Sequence, residues 1–477
     1  MILKGKPYFY SVLLAVMTLL ICLCSPLHPF AKNLPGTDSS VFLLIGKYMA
    51  HGMMPYTDFF DHKGPLLYVI NWLGMFVGFT GVWLIELVCI FLSVWFCYKT
   101  ARRFFSEFVS FFGTIITFIS LLSWYNGGNF TESYALPLLF IALYCLTGYF
   151  VQNFELNRIQ VFVSGACLGG VLMLRQNIIG LWVGMCTVIF VHSLIIRKFK
   201  IILNILFFIA GIIISISPFI IWLFLKGALN DFYRCYFLFN FMYINVPLID
   251  IIKSMYHIFS YPIIPIAAAI MVSILLSKKE IQDDFKYILN LSLIAMFVMT
   301  VLLSSLSGHT YSHYYLVFLP CLILPISWFS VKIIEQLKTK PVITLLVICF
   351  ILNQSMLTGV KMFIGSMFTN NTTNILASYI KKNTKQDEPI LYIGHYCIIY
   401  LVSERPPAGY YPYYTSYLMN YSLSNMNYID ELESKKPKLI ACEMSELPKI
   451  LEDYINNNYT VIYEYENHKI CRLNDLA

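Results

Sequence analysis

The sequence predicts a polytopic α-helical membrane protein of about eleven spans, N-terminus inside and C-terminus outside, with a small extracytoplasmic α/β domain at its C-terminal end. Three observations carry this expectation. Of 477 residues, 58% are hydrophobic and only 12% charged, whereas a soluble domain carries about a quarter charged residues, so much of this surface must face lipid. Apolar runs of spanning length recur as far as residue 360 and then stop. Lysine and arginine gather in alternate loops, as they do on the cytoplasmic side of a membrane protein.

A spanning helix needs roughly 17–25 mostly apolar residues. The candidate spans are 8–27, 82–98, 107–124, 133–151, 159–174, 178–195, 201–224, 255–276, 286–306, 314–333 and 341–360. The first follows Lys4 and Lys6 and imitates a signal peptide, but it lacks a small-residue cleavage site, so an uncleaved helix is expected. With the N-terminus inside, the inner loops carry Lys99, Arg102 and Arg103, then Arg158, Arg197–Lys200, Lys278–Lys286 and Lys332–Lys340. Residues 65–80 are apolar enough to span, but counting them would turn Lys99–Arg103 outward. They are therefore expected to lie in the outer interface.

This arrangement divides the chain into a membrane-embedded module, residues 1–365, and an extracytoplasmic domain, residues 370–477. The module's first outer loop, 28–81, is its longest. In the tail, strands are expected at Pro389–Ile393, Lys438–Ala441 and Thr460–Tyr463, and helices at Asn374–Lys382, Tyr428–Ser434 and Glu446–Asn456. Most of the 13 cysteines sit inside apolar runs and read as small buried hydrophobes. The net charge of +7 follows the loops rather than forming one stripe, which argues against nucleic acid as a partner.

Outside the tail, the external loops hold few charges, and these are concentrated. The first loop holds Asp38 and then Asp58, Asp61, His62 and Lys63; the next holds Gly127-Gly128-Asn129-Phe130-Thr131-Glu132. Arg175-Gln176-Asn177 make a tight outer turn, and His309 and His313 flank Tyr311. Carboxylate, imidazole and cation on one face suit general base chemistry, anion binding or metal binding. Each has a plainer alternative. Asp38 is placed to cap a helix, Asp61-His62-Lys63 to form a solvated turn, Glu132 to complement a helix dipole, and Arg175 to reach headgroups. His309 and His313 have the i, i+4 spacing of a metal pair on a helix, and Asn129-Phe130-Thr131 matches a glycosylation sequon.

The order Asp38, Gly46, Gly52, Pro55-Tyr56, Asp58 and Asp61-His62-Lys63-Gly64-Pro65 resembles the first outer loop of the membrane-embedded GT-C glycosyltransferases. The branch it looks most like contains protein O-mannosyltransferases and lipid A aminoarabinose transferases. The stretches Gly127–Glu132, Leu174–Asn177 and His313-Tyr314-Tyr315 with Pro320 resemble landmarks of bacterial members. The resemblance implies a GT-C fold and transfer of a sugar from a polyprenyl-phosphate donor to an outer-face glycan, lipid or protein acceptor. It implies Asp38 as general base, Lys63 and Arg175 as contacts of the donor phosphate, and Asp61, Glu132, Asn177 and His313 as sugar-binding residues. A divalent cation is compatible with Asp61 and His62, though no spacing fixes a site. The family's acidic residue–Lys–Pro–Pro pattern is replaced here by Asp61-His62-Lys63-Gly64-Pro65, and Asp38 is followed by Ser39 rather than a second acid, which argues against transfer of mannose to protein.

Two other readings compete. An O-antigen ligase or polymerase shares the lipid-linked donor, but such enzymes carry their large loop in the second half of the chain. A flippase or transporter without catalysis predicts charges or broken helices at the bilayer midplane, and the apolar runs hold few charges, Glu86 being an exception near the outer end of its span. The expected location is the plasma membrane, multi-pass, with the active site on the extracytoplasmic side.

Overall fold

The structure, a computed structural model, describes residues 8–277, 284–369, 371–394, 397–413 and 428–474. Six helices among the described residues are long and apolar enough to cross a membrane, or up to seven if one bent pair counts as a span. They are Phe79–Arg102, Thr131–Val151, Lys200–Leu225, Asp284–Ser305, Ser312–Leu337 and the helix that begins at Pro341. The remaining predicted spans fall on shorter apolar helices: Tyr8–Cys22, Glu107–Leu121, Arg158–Leu172, Gly180–Ile195 and Ile263–Leu276. The span expected over 255–276 is interrupted, because one helix ends at Ile258 and the next begins at Ile263. Pro262 lies in the break; it has no N–H to donate, and its ring pushes Tyr261 away from helical geometry. Residues 65–80 form the short helix Pro65–Met75 followed by the start of the long one at Phe79.

Contacts divide the chain into two compact units. The first comprises Met1–Ser25, Trp83–Ile221 and Ile244–Ile364. Its helices approach through small residues, the usual device where lipid removes the hydrophobic drive for association. Gly165 and Gly169 lie four apart on Arg158–Leu172; a Cβ at Gly165 would meet the Phe208 carbonyl oxygen at 2.0 Å and one at Gly169 the Ser215 Cβ at 2.9 Å. The hydroxyls of Thr114, Thr117 and Ser120 donate to the carbonyls four residues back at 2.7–2.9 Å, so the helix Glu107–Leu121 satisfies its own buried polar groups.

The second unit comprises Pro26–Val82, Trp222–Tyr243 and Gly365–Ala477, so the tail shares its packing with the first loop. The loop contributes helices Thr37–Met49 and Pro65–Met75, which pack together. Leu229–Tyr243 is a helix with a π-helical turn at Tyr233–Leu238. The tail forms a four-stranded sheet of β1 (Leu391–Ile393), β2 (Leu439–Glu443), β3 (Tyr459–Tyr465) and β4 (His468–Leu473) in the order β1-β2-β4-β3. β1 and β2 are parallel, and the other two pairings antiparallel. Helix Lys449–Asn458 joins β2 to β3 and buries Leu451 and Ile455, one helical turn apart on one face. Helices Asn371–Asn383 and Tyr428–Lys435 stand where helices were expected. β4 was not foreseen, because Lys469 and Arg472 interrupt its apolar residues.

Candidate active site

In the second unit the loop after Met54 closes on itself. Asp58 Oδ2 accepts from the Met54 N–H at 2.6 Å, and the Tyr56 N–H donates to the Phe59 carbonyl at 2.9 Å. Tyr56 pays for this turn with a φ of 72°, a region that costs a bulky residue roughly 1–3 kcal/mol. The strained residue is held at its other end as well. Its hydroxyl donates to the Lys63 carbonyl at 2.7 Å, and its own carbonyl accepts from the Tyr410 hydroxyl at 2.8 Å. Tyr68 accepts from the Lys63 N–H at 3.2 Å. Burial pushes both the Tyr56 and Tyr68 hydroxyls well up, so each stays a neutral donor at physiological pH. Two tyrosines thus fix the backbone of Lys63 from opposite ends of the loop.

The Lys63 side chain is fixed too. Its Nζ lies 2.7 Å from His62 Nε2, and His62 Nδ1 lies 3.0 Å from Asn240 Oδ1. Asn240 Nδ2 donates to the carbonyls of His62 and Tyr236 at 2.9 and 2.8 Å. An ammonium only donates, so Nε2 accepts, the ring proton sits on Nδ1, and Asn240 must present its oxygen there. The π-helical turn just before Asn240 sets its register, a feature common at functional positions.

Asp61 is buried, and its Oδ1 accepts from the His62 N–H at 2.7 Å, with the Tyr413 hydroxyl farther off at 3.4 Å. Its Oδ2 is buried as well. Burial raises its pKa above the ordinary carboxylate value; Lys63 pulls the other way, and the charge of Asp38 adds to the rise. Asp38 is therefore within electrostatic reach of Asp61. Cys397 reports the same grouping, since its thiol is held well up first by burial and then by the charges of Asp61 and Asp38. Asp38 is half-buried in the first turn of Thr37–Met49, and the cap position belongs to Gly36, so the capping role is corrected. Two residues back from Asp38, the extended backbone of Gly36 turns the chain into the helix.

The first unit assembles a different group. Glu132 opens the helix Thr131–Val151 and is buried; its Oε1 accepts from Arg175 Nη1, and its Oε2 from the Thr131 hydroxyl at 2.7 Å. The Arg175 guanidinium also lies 3.9 Å from the centre of the Tyr314 ring. His313 stacks on Phe130 at 4.1 Å, and its charge reaches Glu132. Asn177, two residues beyond Arg175, donates to the Leu303 carbonyl at 3.3 Å, and its Oδ1 is buried without a partner among the described residues.

Two expectations are overturned nearby. Asn129 of the sequon is fully buried, with Oδ1 accepting from Tyr134 at 2.8 Å, so it cannot carry a glycan. His309 and His313 do not share a helix, because Gly308 at φ 69° ends one element and the 3-10 helix starts only at Ser312. Glu86, noted in the sequence as a charge near the outer end of its span, is fully buried. It accepts from the Asn129 N–H at 2.9 Å and holds the loop that leads into Glu132.

No three His, Cys, Asp or Glu side chains among the described residues converge as a metal site. With both ring nitrogens of His62 already engaged, Asp61 and His62 do not fit a divalent cation in this arrangement. Sequence reasoning missed Tyr56, Tyr68, Asn240 and Tyr413 as supports of the site. Asn240 did leave a signal, one amide in the otherwise apolar run Phe237–Met242.

The solved structure of ArnT from Cupriavidus metallidurans in the apo state aligns with a TM-score of 0.60 at 12% identity, over 96% of this chain and 97% of that one. The same protein bound to undecaprenyl phosphate gives 0.60 at 11% identity, over 98% of each chain. The oligosaccharyltransferase AglB from Archaeoglobus fulgidus, in complex with an inhibitory peptide and a dolichol-phosphate, gives 0.53 at 11% identity, over 92% and 70%. No curated protein matches the sequence. At such identities these likenesses show the fold, that of the GT-C membrane glycosyltransferases, and a multi-pass membrane protein. Residues 3–342 match the family described as putative competence-induced protein Ccs4, N-terminal domain, and the chain belongs to that family on a GT-C fold.

Proposed function

We propose that this protein transfers a sugar from a polyprenyl-phosphate donor to a cell-envelope acceptor on the outer face of the plasma membrane. The observation that carries this reading is the grouping of Asp38 and Asp61 with a lysine fixed at both backbone and side chain. Lys63 supplies a cation to a departing phosphate. Asp38 supplies a carboxylate that is neither buried nor engaged in a salt bridge among the described residues. The undecaprenyl phosphate bound by ArnT and the dolichol-phosphate bound by AglB, proteins of the same fold, support a lipid-phosphate donor.

The chemistry follows from those roles. The acceptor hydroxyl attacks the anomeric carbon as its proton passes to the Asp38 carboxylate. The bond from that carbon to the phosphate oxygen breaks, and its electron pair leaves with the lipid phosphate, whose negative charge Lys63 stabilises. A single base with no separate nucleophile gives inversion at the anomeric carbon. Asp61 is buried and its charged form is disfavoured; its place is to orient the donor sugar, with Glu132, Asn177 and His313 as further sugar-binding residues. Arg175 would add a second contact to phosphate.

Replacing Asp38 by Asn keeps the shape and removes the base. Sugar transfer from a polyprenyl-phosphate donor in membranes should fall by about 100-fold or more, in line with general base catalysis. Turnover near that of the wild type would remove Asp38 from the mechanism. Reporter fusions at Gly128 and at the C-terminus should both read as extracytoplasmic; a cytoplasmic signal at either would sink the proposed orientation.

A further inference from the structure

A cavity of about 630 Å³ lies within the first unit, lined by none of Glu132, Arg175, Asn177 and His313. Arg103, Phe105, Lys286, Asn290, Trp328 and Lys332 are among its lining residues; among the described residues none of the lining is Asp or Glu, and Lys332 Nζ lies 3.4 Å from Glu335 Oε2 outside it. Its volume is in the range of small-molecule sites, roughly 300–1,000 Å³. We propose that it holds the headgroup of one anionic membrane phospholipid.

Its position comes first. Arg103 bonds to Tyr144 and Thr147, on the helix that Glu132 begins, and Tyr144 is twelve residues farther along, about 18 Å at 1.5 Å per residue. Lys286 and Leu303, whose carbonyl accepts from Asn177, are separated along one helix by about 25 Å on the same rise. The cavity therefore sits at the end of the helices opposite Glu132, Arg175 and Asn177. It is also the end where the cation-rich loops predicted to be cytoplasmic emerge.

Its chemistry comes next. Arg103 is pre-set, with Nη1 donating to the Tyr144 carbonyl at 2.6 Å and to the Thr147 hydroxyl at 3.1 Å, and the guanidinium 3.7 Å from the Tyr144 ring centre. Among the described residues its other nitrogens make no hydrogen bond, which leaves half of a rigid donor fork for a phosphate. Lys286 Nζ stands 6.0 Å from the Trp328 ring centre. Asn290 is 3% exposed; its Nδ2 donates to the Met271 carbonyl at 2.7 Å, while its Oδ1 is buried with no partner among the described residues. That oxygen can accept from a headgroup hydroxyl. Phe104, Phe105 and Phe285 supply apolar walls for the start of an acyl chain. A cationic pocket between spanning helices, apolar behind and basic at the mouth, is how such proteins bind anionic lipid headgroups.

The test uses full-length protein in detergent, with bound lipid read by native mass spectrometry. Phosphatidylglycerol should be retained at least about tenfold more than phosphatidylcholine. The triple variant R103Q/K286Q/K332Q should bring the two lipids level. Val331→Trp narrows the same cavity without touching its charges and should reduce retention of phosphatidylglycerol, so the test survives if the triple variant fails to fold. Equal retention of both lipids by the wild type overturns the proposal, as does undiminished retention in a folded variant. Displacement of the lipid by millimolar inorganic phosphate would mark a small-anion site and overturn it too. None of these readouts depends on sugar transfer.

Discussion

Lys63 Nζ donates to His62 Nε2 at 2.7 Å, and that one contact decides what His62 can do. A histidine whose Nε2 accepts from an ammonium and whose Nδ1 donates to Asn240 is a neutral positioning group rather than a metal ligand. In the family pattern an acidic residue stands directly before the lysine. Here His62 takes that place, and Asp61 keeps a carboxylate one position earlier.

The contact gives a graded prediction for the proposed function. Lys63→Met removes the cation and should lower kcat/KM for a polyprenyl-phosphate donor about 100-fold, the order seen when one stabilising donor is lost. Asn240→Ala leaves Lys63 in place but unseats His62, so donor KM should rise several-fold with a smaller change in kcat. Steady-state kinetics separate the two. If Asn240→Ala left both constants unchanged, the relay from the π-helical turn to Lys63 would have no catalytic meaning.

Glu132 and Arg175 are a second linked pair, and their link competes with the role expected of Arg175. Arg175→Met strands a buried carboxylate, at a cost of about 3–5 kcal/mol. The double variant E132Q/R175M removes both charges and should recover most of that loss. Thermal unfolding in detergent reports both. An R175M protein as stable as the wild type would mean that Arg175 is free to serve the donor phosphate alone.

What the sequence made legible follows from which forces act locally. Apolar runs marked the helices, because the bilayer demands backbone satisfaction within each segment. The order from Asp38 to Pro65 marked the fold, since the fold confines those residues to one loop. Pro262 was visible as well, yet its break in the span over 255–276 was missed because the run is uniformly apolar on either side. The pairing of Glu132 with Arg175 and the seat of His62 on Asn240 bring together residues 43 and 178 positions apart. No periodicity reports such contacts. Gly36 rather than Asp38 caps the helix Thr37–Met49, a choice among adjacent small and polar residues that local preference does not decide.

Asp61 gives a pH signature. Its folded pKa is raised, chiefly by burial, so the folded protein holds this proton more tightly than the unfolded chain. Its contribution to stability is then fully present below the unfolded value of 3.8 and is lost as pH rises through the folded pKa. Asp61→Asn cannot ionise and should escape that loss. The unfolding midpoint of the variant, minus that of the wild type, should therefore grow as pH is raised above 4. A difference independent of pH would show that the Asp61 carboxylate is not disfavoured by its surroundings.

The loop that leads into Glu132 depends on a glycine facing a buried acid. Gly128 has φ of 80°, and a Cβ there would lie 2.4 Å from Glu86 Oε2, while Glu86 Oε1 accepts from the next residue's N–H. Gly128→Ala therefore meets two obstacles, a left-handed backbone that costs roughly 1–3 kcal/mol and a collision with the carboxylate. Glu86→Gln keeps an acceptor for the Asn129 N–H and should be mild, whereas Glu86→Ala orphans that buried donor and should cost about 1–3 kcal/mol. If Glu86 acts only by holding this loop, Glu86→Gln should retain most of the transferase activity, and Glu86→Ala should lose activity and stability together. A Glu86→Gln protein that folds as well as the wild type but is inactive would give Glu86 a part in the chemistry. That outcome would move the centre of the site toward the Gly127–Glu132 loop and away from a purely structural reading of it.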